Sequence, residues 1–253
     1  MKLDNPLKTY YIAYFDILGY KLEVKKQEVS FFIKMIAAMI AFHSGISTMY
    51  KIDEKAVKNN IINSLDSIIK YNLFSDNFIL YVPISENNRE NTYNLHKLLD
   101  ACLNTQCHFC RLGLKLRGGI TIGNMFANKE IVFGSGLIKS VALEEQAEFP
   151  IIIIDKDIQK HCQLEIPIIT LCNKKFLNYL EYYRRRYLNP KTKRDKDALG
   201  NFLQKHKELI NSIKTTKNIF DWKSNKKLKR KKNFLINYHN DFCKKHNFSD
   251  YIF

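Results

Sequence analysis

Residues 9–19 read TYYIAYFDILG. The first ten form a nearly continuous run of β-branched and aromatic side chains, as expected of a strand buried on both faces, and Gly19 closes it. Asp16 stands near the strand exit. Downstream, Phe31, Phe32, Met35, Ile36, Met39 and Ile40 recur at helical spacing, which predicts a helix over residues 23–43 ending at Ser44 and Gly45. A second helix is predicted over residues 54–65, then two short strands over 67–71 and 78–83. The connection through Phe74, Ser75, Asp76 and Asn77 puts Asp76 at a hairpin tip.

Residues 91–112 show a third helical pattern, LKLRGGITI over 114–122 alternates as a strand, and 131–132 make another, closing on Phe133, Gly134, Ser135 and Gly136. A helix over 137–147 and a buried strand over 150–154 complete the series. The resulting order is strand, two helices, hairpin, helix, hairpin, helix, strand. Hairpins imply antiparallel pairs, so the order predicts an α+β fold of the ferredoxin-like type rather than a doubly wound parallel sheet. After about Asn173 charged helices are predicted over 174–186, 197–217 and 233–246, separated by Asn189-Pro190 and the basic run 223–232. The expected organisation is therefore a domain over 1–172 with a basic helical extension over 173–253 packed on it.

A chain of 253 residues with 45% hydrophobic content is long enough to bury a substantial core. No run approaches the ~20 uninterrupted apolar residues of a membrane span, and the N-terminal MKLDNPLKTYY lacks the pattern of a signal peptide, so a cytoplasmic protein without membrane association is expected. The six cysteines are dilute, and Cys107 with Cys110 make a single CxxC inside a helical pattern, which reads as packing. The net charge of +16 suggests nucleic acid. However, residues 174–253 hold 22 Lys plus Arg against 7 Asp plus Glu, a net of +15, so the basicity belongs to the tail. The run KSNKKLKRKK at 223–232 reads as a solvated loop before the last helix, and nucleic-acid binding is possible but not expected. There is no HExxH, GxxxxGKS/T or GxGxxG, which leaves hydrolytic zinc, P-loop and Rossmann chemistry without support.

Two carboxylates on rigid strand ends, Asp16 and Asp76, supply the hard oxygen donors that a divalent cation needs for phosphoryl transfer, although Asp is also a common turn residue. The turn Ile17-Leu18-Gly19-Tyr20 offers successive backbone N–H groups for phosphate oxygens, and Gly19 allows close approach. Arg117 presents a fixed fork of donors from a strand.

In combination, YFDILGYK, LFSDNFILY, LKLRGGITIGNMF and VFGSGLIKSVALEE resemble the class III nucleotidyl cyclases over about residues 10–155. The resemblance implies a cyclase homology domain in which Asp16, Asp76 and the Ile17 carbonyl hold two divalent cations, Mn2+ or Mg2+. Phe15 to Tyr20 (Phe15, Ile17, Leu18, Gly19, Tyr20) and Arg117 would surround a nucleoside triphosphate. It also implies a homodimer, because such sites form between two cyclase domains. Where purine-specific members carry a base-reading Lys and its polar partner, this chain has Asn72 and Ile131; where they carry a transition-state Asn and Arg, it has Ile138 and Ala142. These departures, with FPIIIID and the YHN-containing tail, resemble most the pyrimidine cyclases of bacterial anti-phage Pycsar systems. That implies UTP or CTP as substrate and a separate effector protein reading the cyclic product. Asn72 would read the base edge, Tyr71 would stack on it, and Lys139 would replace the lost transition-state charge. The alternatives are an ATP or GTP cyclase, or a cyclase-like protein that binds nucleotide or nucleic acid without turnover.

Overall fold

In the computed structural model, which describes residues 7–49, 69–128, 130–161, 166–187, 193–213 and 222–253, the run read above is β1 (Lys8–Ile17). Alternation sends Tyr11, Ala13, Phe15 and Ile17 into the main core. Tyr10, Ile12 and Tyr14 point the other way, into a smaller cluster with Ile79, Tyr81 and Met125, and Asp16 is next in their row. Burial on both faces is why the run is almost uninterrupted.

Two helices follow, α1 (Tyr20–Lys26) and α2 (Val29–Met49). α2 lays Phe31, Met35, Ala38, Phe42 and Ile46 on the main core at a spacing of three and four residues, and leaves Val29, Ile33, Ile36 and Ile40 exposed. Its window Val29–Ile46, with mean hydropathy 1.7, is apolar and long enough to cross a bilayer by length and composition, contrary to the expectation that no stretch approaches this. Apolar residues on both its core and outer sides produce that value. The helix predicted over 54–65 lies outside the described residues.

β2 (Lys70–Phe74) and β3 (Asn77–Pro83) form the hairpin, with Ser75 in the left-handed region at φ 57°. α3 (Asn88–Arg111) starts at Asn87, whose side-chain oxygen accepts from the N–H groups of Arg89 and Glu90. β4 (Leu116–Ala127), β5 (Val132–Phe133), α4 (Ser135–Ala147), β6 (Ile152–Ile154) and α5 (Lys156–His161) follow. With β7 (Ile168–Leu171) and β8 (Lys174–Leu177), the sheet order is β2-β3-β1-β4-β6-β8-β7, and β5 pairs with the end of β4. The first four of these are antiparallel neighbours joined by helical crossings, the ferredoxin-like arrangement expected from the sequence. β6 lies parallel to β4, and α4 makes the crossover on the face opposite α2 and α3.

The remaining strands, β7 (Ile168–Leu171) and β8 (Lys174–Leu177), form a hairpin whose β8 edge also pairs with β6. Lys174 to Leu177 were expected to start a helix; instead they extend the sheet, and α6 (Tyr179–Tyr187) starts only after them. α7 (Lys193–Asn211) and α8 (Trp222–Lys245) complete the bundle before a short 3-10 turn at Ser249–Tyr251. The basic run 223–232 is helical, not a loop. Lys and Arg are good helix formers, and Phe234, Leu235, Tyr238 and Phe242 extend the same helix into the main core. Phe234 stacks on Phe149 at 4.0 Å, and the Tyr238 hydroxyl donates to Asn178 Oδ1 at 2.7 Å while accepting the Leu180 N–H. Cys107 and Cys110 are buried thiols in this core, consistent with the packing reading.

Candidate active site

Strand register brings the key residues together. Asp16 lies opposite Asn77 on β3 and opposite Arg117 on β4, and Asp76 immediately precedes Asn77 in the hairpin turn. Asp76, Asp16 and Arg117 therefore form a row across the ends of three adjacent strands, on the face that carries Tyr14. Arg117 Nη2 is 3.1 Å from Asp16 Oδ2, and its Nε edge meets the carboxylate of Glu144 on α4. The Asn77 amide donates to Asp76 Oδ1 at 3.3 Å.

Glu144 reaches this row because α4 packs on β4 almost backbone to backbone. A Cβ on Gly119 would sit 2.5 Å from Leu143 Cβ and 2.6 Å from the Ser140 carbonyl, and one on Gly123 would sit 2.6 Å from Gly136 Cα. Any larger side chain would lift the helix and take Glu144 with it.

The row has more negative than positive charge. Burial pushes the Asp16 carboxyl up; Arg117 opposes this and Asp76 adds to it, acting on Asp16 through both charge and hydrogen bonding. Burial likewise pushes Glu144 up to about 7, against the pull of Arg117 and with the help of Asp16. Burial, then Glu144, Asp16 and Asp76, push Tyr14 up to about 12, so its hydroxyl stays a donor at neutral pH. A carboxylate whose ionisation burial and a neighbouring carboxylate disfavour is a fit for a divalent cation, whose charge would reverse that penalty. Among the described residues no group of three or more His, Cys, Asp or Glu could hold a metal ion, so a cation here would need backbone oxygen beside these two carboxylates.

The other sequence-predicted residues divide. Gly19, at φ 89°, begins α1 and its carbonyl accepts from Leu22 and Glu23. Ser75 donates to the Tyr20 hydroxyl at 3.5 Å, so Tyr20 ties α1 to the hairpin tip. A cleft of about 170 Å3 borders Ile17, Leu18 and Gly19, with Lys34 and Lys115 on its wall. The Leu18 N–H is already donated to the Lys115 carbonyl at 2.8 Å, which removes it from the expected phosphate cradle. Phe15 stacks on Phe78 in the main core at 4.8 Å, so its side chain faces away from the row.

Tyr71 and Asn72 were expected to read a base together, but consecutive strand residues face opposite ways. Asn72 is on the site face, 6% exposed, with its amide donating to the Asn128 carbonyl at 3.1 Å. Tyr71 packs edge-on against Phe42 beneath α2, its hydroxyl bonded to His43. Lys139 is held by Asp155 at 2.5 Å and Asp157 at 2.9 Å. Asp155 also accepts from Thr121, four residues along β4 from Arg117 and hence about 13 Å away. Within one chain Lys139 is thus not part of the row. The residue the sequence reading missed is Glu144; its signal was its place four residues after Ser140 and eight after Gly136, on the small-residue face of α4.

No family model matches the chain, and no curated protein matches it. Solved structures similar to it include three cyclases. The adenylyl cyclase CyaB from P. aeruginosa is 13% identical with a TM-score of 0.45, over 69% of this chain and 94% of that one. The catalytic core of a rhodopsin-guanylyl cyclase with converted specificity, in complex with ATPalphaS, is 9% identical with a TM-score of 0.42, over 68% and 96%. The monomeric guanylyl cyclase domain of the RhoGC fusion protein from the aquatic fungus Blastocladiella emersonii is 10% identical with a TM-score of 0.40, over 67% and 93%.

Proposed function

We propose that the chain is a metal-dependent nucleotide cyclase that converts UTP or CTP to the 3′,5′-cyclic monophosphate and pyrophosphate. The observation that supports this most is the row of Asp76, Asp16 and Arg117 across β3, β1 and β4. It joins three residues, separated by up to 101 positions, that the sequence motifs singled out independently. Asp16, Asp76 and the Ile17 carbonyl would hold Mn2+ or Mg2+, which when bound supplies charge neutralisation of the triphosphate and lowers the pKa of the ribose 3′-hydroxyl. In the reaction the 3′-oxygen bonds to the α-phosphorus, the α–β bridging bond breaks, its electron pair leaves with pyrophosphate, and the 3′-hydroxyl proton passes to solvent.

Arg117 neutralises Asp16 through Nη2 while Glu144 holds its Nε edge, and its remaining donors would be available to the phosphates. Tyr14 stays protonated beside the row as a neutral donor. The pyrimidine preference rests on Asn72, whose amide, able to donate and accept, stands on the site face where the resemblance places a lysine in purine cyclases. We place this activity in the cytoplasm, in a homodimer whose second copy covers the site face, with the product read by a separate effector in anti-phage signalling.

Incubation of the purified chain with ATP, GTP, CTP and UTP in turn, each with Mn2+, followed by mass spectrometry of cyclic monophosphates, tests this reading. A cyclic pyrimidine supports it and names the base. A cyclic purine keeps the mechanism and overturns the role given to Asn72. No product from any of the four favours a cyclase-like binding protein, in keeping with Ile138 and Ala142 at the two transition-state positions.

A further inference from the structure

The cleft beside the Ile17-Leu18-Gly19 turn lies apart from the carboxylate row. Ile17 belongs to the row of β1 that faces the main core, whereas Asp16 lies in the opposite row, so the cleft opens on the helical side of the sheet. Its walls come from three directions: Ser30 and Lys34 from the start of α2, Lys115 from the connection into β4, and Ser212 from the end of α7. The half-buried Lys115 donates from Nζ to Ser212 Oγ at 3.1 Å, and that hydroxyl gives its own hydrogen to the Leu209 carbonyl at 2.7 Å. A neutral oxygen thus takes one of the three ammonium N–H groups. Among the described residues neither Lys115 nor Lys34 is in an ion pair. Of the two carboxylates on the cleft, Glu23 is held by Lys26 at 2.8 Å, which leaves Glu28 facing two lysines. Burial lowers the pKa of Lys115; Glu23 opposes this, and Lys26 and Lys34 add to it.

We propose that this cleft binds a phosphate anion, either inorganic phosphate or the phosphate of a small ester, between Lys34 and Lys115. A dianion answers both ammonium groups at once, and in a partly buried cleft their attraction for it is less screened than in water. Lysines suit phosphate because each meets it as a compact point charge, and the Ser30 hydroxyl adds a donor. The positive end of the α2 dipole opens on the same space. At about 170 Å3 the cleft is smaller than the ~300–1,000 Å3 of pockets for larger organic ligands, which limits the occupant to a small ion or ester. Lys115 also connects the cleft to the turn, because its carbonyl accepts the Leu18 N–H at 2.8 Å. An anion that fixes the Lys115 side chain therefore braces the turn two residues from Asp16. The bearing of this brace on catalysis rests on the cyclase reading above; the binding does not.

Titration calorimetry of the full chain with inorganic phosphate, without divalent cations, tests the proposal on wild type, Lys115→Met, Lys34→Met and Lys25→Met. The last removes an exposed cation of α1 that does not line the cleft. Lys115→Met is expected to weaken binding about tenfold or more, Lys34→Met about threefold or more, and Lys25→Met to stay within about twofold of wild type. Circular dichroism checks that each variant is folded; if Lys115→Met is not, Lys115→Gln replaces it, and the exposed Lys34 gives a second reading. Glycerol phosphate in place of inorganic phosphate separates the two sources: equal affinity names an ester, and lost affinity names the free ion. Amide exchange at Leu18 should slow in wild type saturated with phosphate. A wild type that binds no phosphate would overturn the proposal, as would unchanged affinity in both Lys115→Met and Lys34→Met, or equal weakening by Lys25→Met. Unchanged exchange at Leu18 would overturn the brace. None of these readouts uses turnover, so a chain that binds phosphate here yet forms no cyclic product would remove the cyclase reading alone.

Discussion

Glu144 gives a pH-dependent stability that a single substitution should erase. Its carboxyl, 3% exposed, is pushed from 4.5 up to about 7 in the folded chain. The folded state therefore holds this proton more tightly than the unfolded state, and stability falls as pH rises from the unfolded value through the folded one. At about 1.36 kcal/mol per pH unit, the rise from 4.5 to about 7 means that ionised Glu144 disfavours the fold by about 3 kcal/mol when fully developed. Glu144→Gln keeps the shape of the neutral acid and cannot ionise, while Arg117 retains Asp16. The variant should exceed wild type in stability by about 1 kcal/mol near pH 5.5 and by about 3 kcal/mol near pH 8.5, so the gap widens by about 2 kcal/mol. Urea unfolding of both proteins at the two pH values reads this from the midpoints at a common slope. A gap that stays constant with pH, or a Glu144→Gln protein less stable than wild type at the alkaline end, would refute the reasoning.

Separate Asp16→Ala and Asp76→Ala variants should each lower cyclase turnover by about two orders of magnitude or more while the unfolding midpoint moves little, because each removes a metal-ligand carboxylate at a strand end and takes no apolar side chain from the core; full activity in either would exclude the two-carboxylate site. Gly119→Val should destabilise the fold by about 1–3 kcal/mol in urea and reduce turnover although it touches no reacting atom, since its side chain would collide with Leu143 and the Ser140 carbonyl and move Glu144. Tyr71→Phe should leave KM for the preferred triphosphate unchanged within about twofold, because the ring faces α2. In the C-terminal bundle, His239 Nε2 must donate to the Tyr251 carbonyl, so His239 Nδ1 accepts from His206 Nδ1, and His206 Nε2 accepts from the Tyr179 hydroxyl. Burial lowers both histidines, so the unfolded chain takes up protons first and stability is lost as pH falls below the ordinary histidine value of about 6.5. Protection factors of the amides in α7 and α8, taken relative to the intrinsic exchange rate at each pH, should accordingly fall between about pH 7.5 and pH 5.5, and unchanged protection would contradict the neutral chain.

Much of the fold was legible because a few segments carry unambiguous patterns. β1 could be read as buried on both faces, the Phe74 to Asn77 connection as a hairpin, and residues 114–122 as its alternating neighbour; together they fix which strands must be antiparallel. What escaped the sequence has physical reasons. Four residues beginning with two lysines gave β8 no apolar alternation, yet pairing with β6 and β7 holds it in the sheet. The lysines of α8 looked like a solvated loop because their number hid the helical register that Phe234 and Tyr238 continue. Glu144 stood in an LEE sequence that resembles an exposed helix end, and only the tight approach of Gly119 to α4 shows that it points inward. The error over Tyr71 was avoidable, since a period of two already separates it from Asn72.

The tail carries nearly all of the net charge, and its placement changes what that charge means. Were 222–245 a detachable basic arm, its lysines would act on whatever polyanion approached. Instead Phe234, Leu235, Tyr238, Phe242 and Cys243 are all buried in the same core as β1 and α3. At about 1.5–3 kcal/mol for each large apolar side chain, their burial is comparable with the 5–15 kcal/mol by which whole domains are stable. The helix is therefore an integral wall of the domain, and its cations sit in fixed positions relative to the sheet. Arg230 is held by Glu148, which directly follows α4. A charge count alone treats the basic tail as a feature apart from the fold; the packing of Phe234 on Phe149 fixes where that part of the charge stands against the end of α4.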